Sequence, residues 1–379
     1  MTVVNYFFWL SLGLVVYVWV GYPLLVFVLA SVFSRKRSDP EEADDPFVSI
    51  IIPVHNEEQK IALKLEDCLE LLYSHDRLEI LVVSDGSTDR TEEIVRRFVA
   101  RDSRIQWLQS DRRVGKSGAQ NLAAQRARGN LLFFTDANTA VPPGVLRTLV
   151  ANLADKSVGL ATATVLFGHA QDAVEKGQGF YWRYELSLRT AESDFGILAT
   201  GSGQALLVRR ELFRPLPDCY GDDCIMPLDV RSQGYLVIQD REATVFDAMP
   251  HSIEGELRAR IRMTSRNWTG TLARPALLNP LSFPLTALGL ISHKLLRWLT
   301  PFFLAITLTC NTLLALRGHF VLLWWLQVGF YLSALIGWGL ARNQRPAWVF
   351  GYSFSFCLAN VGFLLGMVKA FRNQKIIAY

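Results

Sequence analysis

The residues best suited to chemistry lie directly after an apolar run near the middle of the chain. Residues 131–134 are all apolar, and Asp136 and Asn138 follow them closely. Such a run is typical of a buried strand, and open α/β sheets bind ligands at the carboxyl edge of their strands. The oxygen atoms of Asp136 and Asn138 suit magnesium or manganese, which often share their coordination shell with substrate phosphates. The pattern predicts a site for a metal-bound diphosphate; the alternative is a strand end with ordinary turn-forming residues.

A second acidic residue follows another predicted strand. Residues 79–84 are mostly apolar, and Asp85 and Gly86 come next. At the end of a strand, Asp85 is placed to accept a hydrogen bond from a base or a ribose, while Gly86 permits a tight turn. Asp89 has Glu92 three residues later, which is the spacing of a helix capping box. We therefore interpret Asp85 as a functional residue and Asp89 as a structural one.

These residues need a sheet to position them, and the first half of the chain alternates strands with helices. Strands are predicted at 48–53, 79–84, 105–109 and 130–135, and helices at 61–72, 91–100 and 118–128. This alternation predicts an α/β fold with a mostly parallel, doubly wound sheet. No GxGxxG follows the first strand, and Ser110 stands where a P-loop ending at Lys116 would need glycine. Both of those nucleotide motifs are therefore excluded.

The ordered set of motifs resembles family 2 glycosyltransferases of the GT-A fold, a Rossmann-like fold that binds nucleotide-diphosphate sugars. The motifs lie at residues 48–58, 85–89, 115–121 and 134–138. Members of this family transfer a sugar from a nucleotide diphosphate with inversion, usually with a divalent metal ion. The chain is identified by this resemblance as a membrane-anchored member, related to the polysaccharide synthase type.

The resemblance implies a donor site and a metal site. Residues implied to line the base and ribose are Pro53, His55, Glu57 and Asp85. Lys116 is implied to approach the diphosphate, and Asp136 and Asn138 occupy the DxD positions, with asparagine in place of the second aspartate. The implied cofactor is magnesium or manganese, and His251, after a short predicted strand, is a candidate third ligand.

The resemblance also implies an acceptor side and a catalytic base. Gly201, Ser202, Gly203 and Gln204 resemble the acceptor-side loop of small residues; the alternative is a plain turn before a strand at 205–208. Asp222 and Asp223 resemble the acidic pair at the start of a helix. An inverting transfer needs one carboxylate to take the proton of the acceptor hydroxyl, and the other fits a helix cap. We expect Asp223 to be the base and Asp222 the cap.

A basic helix follows the acidic pair. Processive members carry QxxRW in this region, whereas here Ala259 and Met263 stand at the glutamine and tryptophan positions and only Arg262 matches. Arg262 is expected to neutralise the leaving diphosphate; the alternative is a basic face against anionic lipids, which we favour for Arg258 and Arg274. The missing glutamine and tryptophan argue against processive synthesis.

Long apolar segments flank the polar middle of the chain. Half of the 379 residues are hydrophobic and the formal net charge is +4. Residues 5–33 carry no charge, and 298–316, 320–341 and 346–368 are near or above spanning length. The segment ending in Trp298 is apolar with a basic, aromatic end, which predicts an interfacial helix with His293 at the interface. The predicted organisation is a membrane helix at 1–34, a linker at 35–46, the GT-A domain at 47–275, an interfacial helix at 276–298, and about three membrane helices with a tail at 299–379.

Charges beside the apolar segments predict the orientation. Arg35, Lys36 and Arg37 follow the first span, so the positive-inside rule places the catalytic domain in the cytoplasm and the amino terminus outside, in the cell membrane. Four spans are predicted, although they would leave Lys369, Arg372 and Lys375 outside, against the same rule. The five cysteines show no CxxC or disulfide-framework spacing, which indicates a reducing compartment. The small basic excess excludes nucleic acid as a partner.

The function expected from these features is that of a membrane-bound inverting glycosyltransferase. It would move a sugar from a nucleotide-diphosphate donor, expected to be a UDP-sugar, to a lipid-linked or growing glycan acceptor. One alternative is a small processive polysaccharide synthase that needs an oligomer or partner subunits. Another is an inactive glycosyltransferase-like membrane scaffold, which the acidic residues at both the metal and base positions argue against.

Overall fold

The computed structural model of the protein describes residues 2–33, 45–167, 173–247, 252–343, 345, 347 and 349–372, and for 167 and 173–180 it describes the backbone. Seven strands form one sheet within this part of the chain: β1 Val48–Val54, β2 Leu78–Ser84, β3 Ile105–Gln109, β4 Leu131–Thr135, β5 Val158–Phe167, β6 Ala205–Arg209 and β7 Leu236–Asp247. Their order is β3-β2-β1-β4-β6-β5-β7.

The first four strands are all parallel, as the alternating pattern predicts, whereas the whole sheet is mixed. Strand β1 pairs in parallel with β2 and β4, and β2 pairs in parallel with β3. Strand β6 runs antiparallel to both of its neighbours, β4 and β5, and β7 returns parallel to β5. The parallel half brings the carboxyl ends of β1, β2 and β4 to one edge, where the polar residues predicted from sequence follow each strand.

The helices of the described residues are α1 Thr2–Val16, α2 Tyr22–Phe33, α3 Ile61–Leu69, α4 Thr91–Val99, α5 Gly115–Arg126, α6 Val145–Asn152, α7 Ala173–Phe195, α8 Asp222–Ser232, α9 Ile253–Leu272, α10 Pro284–Gly289, α11 Leu296–Trp298, α12 Thr300–Ala315, α13 Val321–Arg342 and α14 Phe350–Phe371. The π-helical turns Tyr17–Gly21 and Leu290–Leu295 join α1 to α2 and α10 to α11. Short 3₁₀ turns occupy His75–Arg77, Arg210–Leu212 and Pro275–Leu278.

Two apolar layers enclose the sheet. Alternate side chains of β1 point to opposite faces, so that Ile50 and Ile52 pack with α3, α4 and α6, whereas Ile51 packs with α5 and α8. All seven residues of β1 are buried, and so are all five of β4. Each buried isoleucine stabilises the fold by about 1.5–3 kcal/mol relative to an exposed side chain, so both strands give the site a rigid base.

Three helices of the described residues are long and apolar enough to cross a membrane: Thr2–Phe33, Val321–Arg342 and Phe350–Phe371. A bent pair, Pro284–Trp298 and Thr300–Ala315, meets the same test together, with an angle of 56° between its halves. Up to four spans are thus possible by length and composition.

The last of these helices lies against the amphipathic helix α9. A Cβ added at Gly362 would lie 2.8 Å from the Cβ of Arg260, and one added at Gly366 would lie 2.6 Å from the Cβ of Thr264. Any larger side chain at these glycines would push the two helices apart. The close approach places part of α14 beside the cavity described below.

Candidate functional site

A cavity of about 520 Å³ lies beyond the carboxyl ends of β1 and β4 and extends to helices α9, α11 and α14. Nearly all of the site residues predicted from sequence line it: Pro53, His55, Glu57, Lys116, Asp136, Asn138, Gly201, Ser202, Gly203, Gln204, Asp222, Asp223 and Arg262. Segments far apart in the sequence are thus brought to one place by the parallel half of the sheet. His251 lies outside the described residues.

Lys116 stands at the centre of the site and pairs with two carboxylates. Gly115 has a φ of +75°, a left-handed conformation that favours glycine, and it turns the chain so that Lys116 enters the first turn of α5. The Nζ of Lys116 lies 2.6 Å from Oδ1 of Asp136 and 2.9 Å from Oδ2 of Asp222. Burial opposes the charge on Lys116, but the two carboxylates outweigh it and raise its pKa. Lys116 is therefore a fixed cation beside the end of β4.

The two adjacent aspartates have opposite electrostatic environments. Asp222 accepts hydrogen bonds from Gln120 at 2.9 Å and from the backbone N–H of Asp223 at 3.1 Å. Burial opposes its charge, but Lys116 and Gln120 hold its pKa below the usual range. Burial and the neighbouring charge of Asp222 raise the pKa of Asp223. Asp222 is thus held as a carboxylate, while Asp223 is better suited to accept and release a proton.

The N-cap of α8 is neither of these aspartates. Gly221 occupies the cap position, so it has no side chain to donate or accept a hydrogen bond. Asp222 instead satisfies the backbone N–H of Asp223 in the first turn of the helix. The structure therefore corrects the expectation that one aspartate would occupy the N-cap, although Asp222 does stabilise the start of the helix.

Asp85 is buried below the cavity and does not line it. It is fully buried, and its carboxylate accepts the backbone N–H groups of Val114 at 2.5 Å and of Gly115 at 3.0 Å. Its own carbonyl oxygen lies 3.0 Å from Nδ1 of His55. Asp85 thus holds the loop that presents Lys116 and the ring that faces the cavity. Its direct contact with a base or ribose stays a prediction.

An unpredicted carboxylate joins the metal motif to the acceptor-side loop. Asp247, the last residue of β7, accepts a hydrogen bond from the amide of Asn138 at 2.9 Å and another from Gln204 at 3.1 Å. Because the side-chain N–H of Asn138 donates to Asp247, the carbonyl oxygen of the same amide is the atom that can coordinate a metal ion. Asp247 was not predicted from the sequence, and its place at the end of a strand is the signal that points to it.

The oxygen atoms at the end of β4 fit a metal ion that is held jointly with a ligand. No group of three or more His, Cys, Asp or Glu side chains suited to a metal ion occurs among the described residues. Asp136 and Asn138 supply two hard oxygen donors at the cavity wall. Magnesium and manganese are commonly bound by one or two carboxylates together with substrate phosphates. The donor set therefore suits a metal that binds with a diphosphate.

Helix α9 supplies several arginines to the cavity. Arg260, Arg262 and Arg266 line it, and Arg262 is exposed. Arg260 pairs with Glu256 at 2.6 Å, while Arg266 donates to the carbonyl oxygen of Tyr220. Arg274, expected at the lipid surface, instead donates to Oδ1 of Asp229 at 2.7 Å. That expectation was wrong because the helix ends against α8.

A buried charge cluster forms the wall of the cavity nearest the long apolar helices. It consists of Glu185, Glu192, His293, Lys294 and Arg297. His293 is 1% exposed, so its expected place at the membrane interface was wrong. Its Nδ1 lies 2.7 Å from Oε1 of Glu192 and its Nε2 lies 3.1 Å from Oε2 of Glu185. With a carboxylate at each nitrogen, the ring serves as a bridge and has no nitrogen left for a metal.

Helical spacing in the sequence indicates some of the residues that lie together at the site. Glu185, Arg189 and Glu192 recur at one-turn intervals on α7, and Gln120 follows Lys116 by one turn on α5. These intervals put each set on one helix face. What the sequence lacked was the partner, since the contacts of Glu185 lie more than a hundred residues away.

Comparison with known proteins identifies the family of the central part of the chain. Residues 49–216 match the family model described as glycosyl transferase family 2. The chain contains a glycosyl transferase family 2 domain. The match covers most of β1, all of β2 to β6, Lys116, Asp136 and the acceptor-side loop, while Asp222, Asp223 and α9 lie beyond its end.

Curated relatives and a solved structure agree with the family. An N-acetylglucosaminyltransferase of Mesorhizobium japonicum is 27% identical over 65% of this chain and 62% of its own length. One from Neorhizobium galegae is 28% identical over 65% of this chain and 60% of its own. The chain therefore spans about three fifths of the length of these relatives.

The solved structure of a mannosyltransferase from Pyrobaculum calidifontis, in complex with GDP-Man and Mn²⁺, superimposes with a TM-score of 0.75. It is 23% identical and covers 97% of this chain and 99% of its own. This likeness confirms the predicted GT-A fold of the family 2 domain together with its apolar helices.

Proposed function

We propose that the protein is a membrane-embedded glycosyltransferase that transfers a sugar, with inversion, from a nucleotide-diphosphate donor to an amphiphilic or glycan acceptor. The observation that carries the proposal is the arrangement around Lys116. One cation bridges the carboxylate after β4 and the carboxylate beside Asp223. A diphosphate-binding group and a candidate base therefore face the same cavity.

The donor end of the cavity is assigned to the edge of β1 and β4. Pro53, His55 and Glu57 would line the base and ribose, and Lys116 would bind the diphosphate oxygens. Burial raises the pKa of Glu57 above the ordinary glutamate value. Arg262 would contact the same diphosphate from α9, since arginine binds phosphate oxygens in a bidentate manner.

Asp136 and the carbonyl oxygen of Asn138 would hold a magnesium or manganese ion when the donor is bound. Such an ion would supply positive charge to the departing diphosphate. This pair carries one negative charge, whereas two aspartates would carry two. The nearby carboxylate of Asp247 adds a second negative charge and orients the Asn138 amide. Manganese in the similar mannosyltransferase structure agrees with this assignment.

Asp223 would accept the proton of the acceptor hydroxyl. The hydroxyl oxygen then forms a bond to the anomeric carbon, and the bond from that carbon to the diphosphate breaks on the opposite face. The nucleoside diphosphate leaves with the bonding electron pair, and the proton remains on Asp223. General-base catalysis of this kind contributes roughly 10²–10⁴-fold in rate. The glycines and Ser202 of the loop at 201–203 would let the acceptor sugar approach the backbone.

The similar proteins indicate which donor sugars to test first. Two classes of donor deserve first trial: a nucleotide-linked N-acetylglucosamine, after the names of the curated relatives, and GDP-mannose, after the ligand of the solved structure. We retain the UDP-sugar as the first candidate. A processive synthase remains the second candidate, and Ala259 and Met263 at the cavity wall are the observation against it.

Release of nucleoside diphosphate tests the proposal. Full-length protein in lipid nanodiscs is incubated with manganese and a panel of nucleotide sugars, with and without extracted membrane lipids. We expect acceptor-dependent release from one donor and a product one sugar heavier by mass spectrometry. A ladder of long products would establish processive synthesis. No release from any donor, with the fold intact, would establish the inactive scaffold.

We further propose that the domain faces the cytoplasm and that the chain crosses the membrane several times. The apolar helices Thr2–Phe33 and Val321–Arg342 and the bent pair support a multi-pass chain. Arg35, Lys36 and Arg37 after the first span support the orientation.

A further inference from the structure

A buried arginine with an unused donor faces the acceptor side of the cavity. Arg189, on α7, is 5% exposed and lines the cavity. Its Nη2 donates to Oγ of Ser202 at 3.3 Å, but its buried Nε has no hydrogen-bond partner among the described residues. The nearby carboxylates of Glu185 and Glu192 pair with other groups in the buried charge cluster. A buried cation with an unsatisfied donor is costly unless a ligand completes its contacts.

A second arginine has the same feature. Arg266, on α9, also lines the cavity, and one of its terminal nitrogens donates to the carbonyl oxygen of Tyr220. Its Nε is likewise buried and unpartnered within the described part of the chain. Neither guanidinium forms an ion pair with a described carboxylate. Two helices therefore bring cavity-lining guanidinium groups without a described ion-pair partner to one cavity, and guanidinium groups are well suited to phosphate oxygens.

The position of Arg189 separates it from the donor end, and Arg266 lies near the aspartate pair Asp222 and Asp223. Lys116 and Asp136 lie at the end of β4, whereas Arg189 contacts Ser202 in the acceptor-side loop. Apolar groups complete this end of the cavity, because Trp298 and Phe363 of the candidate membrane helices line it too. A ligand with anionic oxygens joined to an apolar chain would match both surfaces.

We propose that Arg189 and Arg266 bind a phosphate group of the acceptor, and that the acceptor is a phosphate-bearing amphiphile. This inference rests on the proposed function only in taking the bound amphiphile to be the acceptor of the sugar. The phosphate is bound and does not react, so the nucleophile remains a hydroxyl that faces Asp223. Burial lowers the pKa of the Arg189 guanidinium, and an anionic partner removes the cost of its charge in this environment.

The test is a binding measurement that needs no turnover. Full-length protein in phosphatidylcholine nanodiscs is titrated with dodecyl phosphate, dodecanol and inorganic phosphate, and separately with UDP and GDP in the presence of manganese. The variants are Arg189→Gln, Arg189→Lys and Arg266→Gln. Arg97→Gln is the matched control, because Arg97 is an exposed arginine on α4 far from the cavity. The control corrects for partition of the amphiphiles into the nanodisc.

We expect the wild type to bind dodecyl phosphate at least about tenfold more tightly than dodecanol or inorganic phosphate, a difference of about 1.4 kcal/mol, since only dodecyl phosphate offers both the anion and the apolar chain. Arg189→Gln and Arg266→Gln should each remove most of that preference and leave dodecanol and nucleoside diphosphate binding unchanged. Arg189→Lys should restore part of it, which separates charge from folding.

Three results would overturn the inference. Equal affinity of the wild type for dodecyl phosphate and dodecanol would exclude an anion site. Equal affinity for inorganic and dodecyl phosphate would exclude the amphiphile. Loss of UDP and GDP binding in Arg189→Gln would assign the arginine to the donor. Each result can be measured whether or not sugar transfer is detected. Failure of this inference is therefore distinct from failure of the proposed function.

Discussion

The hydroxyl of Tyr22, on the amino-terminal apolar helix, donates a hydrogen bond of 2.5 Å to Oε1 of Glu192, on α7 of the catalytic domain. The same oxygen lies 2.7 Å from Nδ1 of His293. Tyr22 and Glu192 are both buried, and His293 lines the cavity. One buried carboxylate therefore links the amino-terminal helix to the wall of the cavity.

Replacement of Tyr22 by phenylalanine tests this connection. It removes one hydrogen bond to a buried carboxylate, which is worth about 1.5–3 kcal/mol. We expect the thermal-unfolding midpoint in detergent, at fixed scan rate, to fall by several degrees. Tyr6→Phe is the control, since Tyr6 is exposed on α1. Equal midpoints for the two variants would show that the bond to Glu192 contributes nothing.

Asp136→Ala should abolish turnover and metal-dependent donor binding while the protein still folds. Asp136 is a half-exposed carboxylate at the end of a buried strand, so its removal leaves no cavity in the core. Lys116 would keep its pair with Asp222. Manganese titrations of nucleotide binding provide the measurement. Unchanged metal dependence in the variant would remove Asp136 from the metal site.

Asp223→Asn should slow transfer by about 10²–10⁴-fold, the range for a lost general base, and leave donor affinity nearly unchanged. The amide has the same shape but cannot accept the proton. The measurement is single-turnover transfer, with nucleotide binding measured in parallel. Asp222→Asn is the comparison, because it breaks the pair with Lys116 and should weaken donor binding and stability as well. A loss of less than about tenfold in Asp223→Asn would leave the mechanism without its base.

The rate should fall at acid pH with an apparent pKa above the ordinary aspartate value of about 4. Burial and the charge of Asp222 raise the pKa of Asp223, and the protonated form cannot act as a base. The active form is therefore lost as pH falls through this raised value. Asp222→Asn removes the neighbouring charge, so its acid limb should shift to lower pH. The pH profile of transfer at saturating donor is the check; an acid limb that stays in place would contradict the coupling.

Helix α14 is expected to lie beside α9 without crossing the membrane. Half of its apolar window is buried within the protein, compared with 11% for α13, and Gly362 and Gly366 bring it against α9. With α14 on the cytoplasmic side, Arg342, Lys369 and Arg372 would all obey the positive-inside rule. This arrangement also removes the conflict that four spans create at the tail.

Labelling of a single cysteine at position 372 in intact cells distinguishes the two topologies. Protection from an impermeant reagent is expected when α14 stays inside, whereas labelling would support four spans. A cysteine at 318, between α12 and α13, should be labelled in either case, because both topologies place that loop outside.

The local sequence pattern was enough to predict the parallel half of the sheet and the polar residue types that follow its strands. Buried strands such as β4 require an uninterrupted apolar run, and the residue types that follow them are read directly from the chain. That is why Asp136 was named from the pattern of its strand, whereas Lys116 and Asp223 were named from the resemblance to a known family; all three line one cavity. A strand was predicted at 205–208, but the antiparallel direction of β6 was not, because strand direction depends on where the chain returns.

Tertiary structure alone decided which of these residues are partners. The bridge from Lys116 to Asp222 spans more than a hundred positions, and so does the bond from His293 to Glu185. Isolated, His293 fits a membrane interface; packed between two carboxylates, it is buried. Charges and exposure depend on distances across the fold, which the sequence fixes only through the global packing of its apolar surfaces. The sequence therefore determined the kinds of chemistry available, and the fold determined which groups perform it together.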